Sequence, residues 1–152
     1  QALHRHGGLY FDTDIEVLKR FDDLLGLGCF FGFQLVEPNV DWVNNAVIGA
    51  RPGHPFLQHC LKVLQDTYAK SRGIPRGPEL ITAVLCMSGL RHYGRQDVQD
   101  ISLLPRECFY PYAWTEAFTP DCVTSSTYCV HHWEGTWVRP AEPATPPGTG
   151  HP

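Results

Sequence analysis

The sequence predicts an α/β fold in which a mixed sheet is flanked by helices. Short apolar runs that are typical of strands alternate with two longer segments of helical periodicity. Of the 152 residues, 43% are hydrophobic and 18% are charged, which is enough apolar material for one buried core. Pro and Gly dominate residues 139–152, so we predict one domain over residues 1–138 and a disordered tail after it.

Six segments are predicted to be extended, because each is a short apolar or aromatic run bounded by Gly, Pro or polar residues. Phe21 to Leu25 is predicted to form a helical turn ahead of Gly26. The six extended segments are residues 9–11, 15–18, 29–35, 46–50, 101–104 and 128–131.

Two helices are predicted from the spacing of apolar residues. The first runs from about Pro55 to Lys70, because Pro suits a first helical turn and apolar residues recur at helical spacing after it. Gly77 opens the second helix, which runs to about Met87, and we expect Gly89 to end it.

Charge and cysteine content exclude several classes of protein. The net charge is −4 and Lys and Arg are scattered, which argues against a nucleic-acid surface. No run has the length of a membrane span and no signal peptide is visible, but the chain begins at Gln1, so we expect a preceding segment. The six cysteines lack zinc-site spacing. We expect buried thiols at Cys60 and Cys86, and the sequence leaves open a disulfide between Cys122 and Cys129.

Asp12 and Asp14 are the leading candidate site residues. They follow an apolar strand, and side chains two apart on an extended backbone point the same way. Ligands of open α/β sheets bind at the carboxyl ends of strands. Two carboxylates at one such place suit Mg²⁺ or Mn²⁺, and Gly7 with Gly8 leaves the approach open.

Three other interpretations of this pair are possible. A calcium loop of the EF-hand type needs Gly at its sixth position and Glu at its twelfth, where Val17 and Asp23 stand. A phosphatase of the haloacid dehalogenase type, with Asp12 as the nucleophile, would carry Thr where Glu16 stands, although it remains the better catalytic alternative. In the third interpretation, Asp12 and Asp14 are solvated loop acids without a chemical role. The apolar run before them argues against this interpretation.

Four ordered segments carry a resemblance to a known family. The stretch GGLYFDTDIEVL resembles the DXD motif of glycosyltransferases that use nucleotide sugars. The chain is similar to glycosyltransferase family 32, which includes initiating α-1,6-mannosyltransferase, inositol-phosphoceramide mannosyltransferase, α-1,4-galactosyltransferase and capsular polysaccharide transferases. The similarity covers roughly residues 1–138. The four matching segments are residues 7–18, 44–56, 77–82 and 130–137.

The resemblance implies a fold of the GT-A type and a partial catalytic domain over residues 1–138. In such enzymes a βαβ unit ahead of the DXD strand supplies most of the base and ribose pocket, and here only six residues precede Gly7. We therefore expect the nucleotide-binding opening to be missing. Because of this missing part, the alternative to an active enzyme is a truncated transferase remnant without catalytic activity.

The resemblance also implies a ligand set. Asp14 is expected to bind the metal directly, and Asp12 to contact the ribose or the metal through water. The late Val-His-His-Trp segment places His131 at the position of a polar group that returns to the metal and diphosphate. Neutral imidazole is a suitable ligand for Mn²⁺ beside two carboxylates. Alternation along a strand would send His131 and Trp133 to one face and His132 to the other.

Four further residues are expected to bind substrates. Asn45 precedes an apolar strand, where its amide would bond sugar hydroxyls, and Gly77 opens a helix whose amides would lie near the diphosphate. Trp133 and Trp137 would cover a sugar or nucleotide face or pack in the core.

The implied reaction moves a hexose of the mannose or galactose type from a nucleotide diphosphate sugar to a glycan or glycolipid hydroxyl. It needs Mn²⁺ or Mg²⁺ and retains the anomeric configuration. The compartment stays open: the lumenal side of a Golgi membrane for a eukaryotic protein, the cytoplasm or inner membrane for a bacterial one. Membrane association is expected only through segments outside this chain.

Overall fold

The computed structural model describes residues 1–37, 40–69 and 77–135, with the backbone alone at residues 35–37, 40 and 41. The predicted tail at 139–152 therefore lies outside the described residues. The helices are α1 (Ala2–His6), α2 (Pro55–Ala69) and α3 (Gly77–Ser88). The strands are β1 (Gly8–Phe11), β2 (Ile15–Val17), β3 (Cys29–Glu37), β4 (Val40–Ala50), β5 (Gln96–Val98), β6 (Ile101–Leu104) and β7 (Cys129–His131).

Two sheets organise the described chain. The larger has five strands in the order β1-β4-β3-β6-β5, and the smaller pairs β2 with β7. Within the described residues β3 and β6 form the parallel pair of the larger sheet, while its other neighbours are antiparallel. The predicted mixed α/β architecture is confirmed. The extended segment after Asp14 does not continue β1, however, because it leaves the large sheet to pair with β7.

The large sheet is buried on both faces at its central strand β3, and alternation along β3 divides its aromatic residues between the two faces. Phe31 packs with the cluster that includes Phe56 of α2 and Leu85 of α3. Phe30 faces the opposite cluster, where the Phe109 ring lies 6.0 Å from it. Fully burying a side chain of this size contributes about 1.5–3 kcal/mol. The sheet therefore lies between the helices on one face and a layer of aromatic side chains on the other.

The two long helices begin and end where their sequences predict. Pro55 opens α2, and the His54 side chain accepts a hydrogen bond from the Phe56 amide at 3.3 Å. Gly89 follows α3 with a φ of 122°, which favours glycine and ends the helix.

The cysteine expectations are only partly right. All six cysteines are free, so Cys122 and Cys129 form no disulfide. Cys60 is buried as expected, but Cys86 is exposed. The prediction for Cys86 was wrong. The buried residues of α3 are Ile81, Val84 and Leu85, so Cys86, which follows Leu85, lies on the outward face of the helix.

A bulge in β4 brings this strand to the candidate site. Its register with β3 shifts between the pairs Gly32–Asn44 and Phe30–Gly49. The buried Asn44 side chain bonds Gln34 and accepts the Ala46 amide at 2.6 Å. The carbonyl of Ala46 in turn accepts the Asp12 amide at 2.9 Å. Bulges commonly re-aim side chains beside functional sites, and this one fixes the backbone of the DXD segment.

Candidate metal site

Asp12 and Asp14 lie in a tight turn that joins the two sheets. The Ile15 amide bonds the Asp12 carbonyl at 3.2 Å, and the Asp14 carbonyl accepts the His132 amide at 3.0 Å. The expectation of an extended backbone through both aspartates was therefore wrong, because the chain turns here from β1 toward β7. Their carboxylates nevertheless meet at one place.

His131 completes a cluster of three potential ligands. One ligand atom each from Asp12, Asp14 and His131 lies within 4.8 Å of the others. Pairing of β2 with β7 places His131 opposite Ile15, and its Nε2 atom is 3.1 Å from Oδ2 of Asp14. The expected placement of His131 beside Asp14 is confirmed, whereas its role as a ligand stays a prediction.

His132 points elsewhere, as alternation predicts. Its Nε2 atom lies 2.8 Å from Oε2 of Glu16, and its ring contacts the Phe118 ring at a centroid distance of 5.6 Å. The two neighbouring histidines therefore have separate partners.

Burial favours the neutral form of the His131 imidazole. Desolvation lowers its pKa below the usual value, although Asp14 and Asp12 oppose that shift. Its Nδ1 atom is buried without a hydrogen-bond partner. An unpaired buried polar atom is costly and is often found at functional positions. A neutral ring keeps one lone pair, which is what metal ligation requires.

Two groups that sequence reasoning missed hold the carboxylates in place. The Tyr10 hydroxyl donates to Oδ1 of Asp12 at 2.6 Å, and the Glu134 amide donates to Oδ2 of Asp14 at 3.1 Å. Tyr10 was detectable, because it lies on β1 only two residues before Asp12, within reach of its carboxylate. The Glu134 contact uses a main-chain group, for which side-chain patterns carry no signal.

Trp133 packs beside the cluster. Its ring centroid lies 4.0 Å from that of His131, and its Nε1 atom donates to the Tyr112 carbonyl at 3.3 Å. β7 ends at His131, and Trp133 beyond it adopts a φ of 55°. The other predicted tryptophan, Trp137, lies outside the described residues.

Asn45 and Gly77 lie against each other at the start of α3. A Cβ atom built on Gly77 would fall 2.2 Å from Oδ1 of Asn45. Asn45 is also adjacent to Ala46, whose carbonyl accepts the Asp12 amide. Asn44, by contrast, is buried in the bulge and serves the fold.

The donor set fits a hard divalent cation. Two carboxylates suit Mn²⁺ or Mg²⁺, and the imidazole nitrogen favours Mn²⁺ of the two. Among the described residues, no other group of three or more His, Cys, Asp or Glu converges in this way. The flanking elements are strands, which is inconsistent with the helices of an EF-hand.

Comparison with known proteins identifies the family. Residues 49–143 match the alpha 1,4-glycosyltransferase conserved region. An uncharacterized glycosyltransferase of Acanthamoeba polyphaga mimivirus is 41% identical over 111 residues, which are 72% of this chain and 43% of that protein. Human lactosylceramide 4-alpha-galactosyltransferase is 29% identical over 86% of this chain and 38% of its own length. For human alpha-1,4-N-acetylglucosaminyltransferase the identity is 26%, over 86% of this chain and 39% of the relative.

The matches cover only part of each relative. The chain spans less than half the length of these three relatives. No solved structure matches it. Among the described helices, none has both the length and the apolar character needed to cross a bilayer. Nothing among the matches supports the phosphatase alternative. The chain belongs to the glycosyltransferase family defined by the alpha 1,4-glycosyltransferase conserved region.

Proposed function

We propose that this chain carries the metal-binding part of a glycosyltransferase that moves a hexose from a nucleotide diphosphate sugar to a glycan or glycolipid hydroxyl. The observation that carries the proposal is the convergence of Asp12, Asp14 and His131 within 4.8 Å in a member of this family. Such a cluster suits a donor whose diphosphate must be bound and activated.

The reaction explains why these residue types are needed. Negative charge builds on the diphosphate as the bond to the anomeric carbon breaks. A divalent cation held by Asp12, Asp14 and His131 would neutralise that charge as a Lewis acid. The two aspartates would bind and orient it, and a neutral His131 ring, the form that burial favours, would add a ligand without adding charge.

The flanking residues would bind the sugar and phosphates. Asn45 offers an amide that can both donate to and accept from sugar hydroxyls. Gly77 begins a twelve-residue helix, whose free amides favour anionic groups. The Trp133 ring, next to His131, would exclude water from one side of the cation site.

The names of two relatives are the basis for the glycosidic linkage that we propose. Both human relatives carry a 4-alpha or alpha-1,4 designation in their names. We extend this to the present chain as an α-linkage to a 4-hydroxyl, with a galactose-type sugar as the leading donor. An α-linked donor that gives an α-linked product reacts with retention of configuration.

A transfer assay with the native protein tests the proposal. It would supply uridine diphosphate galactose, uridine diphosphate N-acetylglucosamine or guanosine diphosphate mannose, with Mn²⁺ and a lactose-terminated acceptor. We expect Mn²⁺-dependent transfer of galactose that Asp14→Asn lowers by at least about 100-fold, because a charged ligand is lost. Transfer that is equally fast with chelator present would refute the metal-dependent function.

A further inference from the structure

A tyrosine beside the cation cluster lies outside the two core clusters. Leu9 and Phe11 pack against the aromatic core cluster, whereas Tyr10, between them on β1, points the other way. Its side chain remains 44% exposed. The polar contact of this residue is the hydrogen bond to Oδ1 of Asp12, at 2.6 Å.

That hydroxyl donates to one oxygen of the Asp12 carboxylate at 2.6 Å. An un-ionised phenol beside an ionised carboxylate forms a charge-assisted hydrogen bond, which is stronger than a neutral one.

The same bond restricts the rotation of the Asp12 side chain. A carboxylate has two oxygens, and a bond from Tyr10 to Oδ1 also limits the directions that Oδ2 can take. Asp14 is held in a comparable way, since its Oδ2 atom accepts the Glu134 amide at 3.1 Å. Both acids are thus oriented by a donor outside the ligand set. In other metalloproteins, groups that hydrogen-bond to metal ligands in this way change the affinity for the metal.

We propose that Tyr10 is a positioning residue of the cation site, whose hydroxyl holds the Asp12 carboxylate in the orientation that meets Asp14 and His131. The proposal rests on the metal site of the proposed function. It assigns Tyr10 no contact with the cation or the sugar.

The test compares two Tyr→Phe variants of this chain by titration with Mn²⁺ alone, following the free ion by electron paramagnetic resonance. Tyr10→Phe removes the hydroxyl beside Asp12. Tyr128→Phe is the matched control, because its hydroxyl also donates to an aspartate, Asp23, which is not part of the cluster. We expect Tyr10→Phe to weaken Mn²⁺ binding about tenfold, at the lower end of outer-shell effects, and Tyr128→Phe to leave it unchanged.

Circular dichroism of each metal-free variant distinguishes a change in the orientation of Asp12 from a loss of fold stability. A Tyr10→Phe protein that unfolds at the wild-type temperature but binds Mn²⁺ more weakly supports the proposal. Equal binding by Tyr10→Phe and the wild-type chain overturns the role of Tyr10 and leaves the metal site intact. Failure of the wild-type chain to bind Mn²⁺ at all overturns the metal site and the Tyr10 role together.

Discussion

Nε2 of His131 lies 3.1 Å from Oδ2 of Asp14, although the two residues come from opposite ends of the described chain. The pairing of β2 with β7 creates this contact, since Ile15 is the partner of His131 in the ladder. A short two-stranded sheet therefore assembles the candidate metal site.

The first prediction separates the two neighbouring histidines. His131→Gln should weaken Mn²⁺ binding by roughly 10- to 100-fold, because the imidazole ligand is lost. His132→Gln, at a residue that contacts Glu16, should have little effect. Pulsed electron paramagnetic resonance of the Mn²⁺-bound chain should detect coupling to an imidazole nitrogen that disappears in His131→Gln alone. Nitrogen coupling that persists in His131→Gln would remove His131 from the ligand set.

The second prediction concerns Gly77, where space rather than backbone conformation is limiting. Gly77→Ala would place a Cβ atom 2.2 Å from Oδ1 of Asn45, so the Asn45 side chain must move. We expect a loss of at most about 1 kcal/mol in the free energy of unfolding, because the atoms in the way belong to the half-buried Asn45 side chain, which can rotate aside. Urea denaturation in a double-mutant cycle checks this. Asn45→Ala should relieve the loss, and an equal loss in that background would show that Asn45 is not its source.

The third prediction concerns the β4 bulge. Asn44→Ala should leave the buried Ala46 amide without its acceptor and Gln34 without its partner. The expected cost is about 1–3 kcal/mol of unfolding free energy, measured by urea denaturation. Because the Ala46 carbonyl holds the Asp12 amide, Mn²⁺ affinity should fall as well. Asn45→Ala, at a half-buried position, is the control and should cost less. A change of under about 0.5 kcal/mol in Asn44→Ala would contradict this account of the bulge.

The fourth prediction concerns the thiols. Burial raises the pKa of Cys29, Cys60 and Cys129 to about 12, and raises that of Cys108 as well. In the native chain at pH 8, a disulfide reagent should therefore react fastest with the exposed Cys86, and Cys86→Ser should abolish the fastest phase.

The same shifts predict a pH dependence of stability. Between pH 9 and pH 12 the unfolded thiols ionise while the buried ones stay protonated. The unfolded chain then binds fewer protons, so stability should fall as the pH rises through this window. Four buried thiols that react as fast as Cys86 at pH 8 would contradict the burial on which both expectations depend.

Local patterns predicted most of the secondary structure. The α2 helix and strands β1, β3 and β6 were recognisable because apolar periodicity and Gly or Pro boundaries act within a few residues. The three-residue strand β5 and the five-residue helix α1 were missed, since such short segments carry too little periodicity.

Long-range contacts were harder to predict. Asp12 and Asp14 were found by their chemistry, but the turn that joins them depends on β7, from the far end of the described chain. The family resemblance, rather than any residue spacing, pointed to His131. Asn44 drew no prediction of its own and is a buried support of the bulge. The sheet partners that decide these roles are distant in sequence.

The binding of Mn²⁺ to the wild-type chain and to Asp14→Asn tests the central claim most directly. Asp66→Asn is the matched control, because it removes the same charge from an exposed residue of α2. Isothermal titration should give one Mn²⁺ per wild-type chain, unchanged binding in Asp66→Asn, and binding weakened by more than about 100-fold in Asp14→Asn. Equal affinity in Asp14→Asn and the wild-type chain would contradict the assignment of this cluster as a metal site.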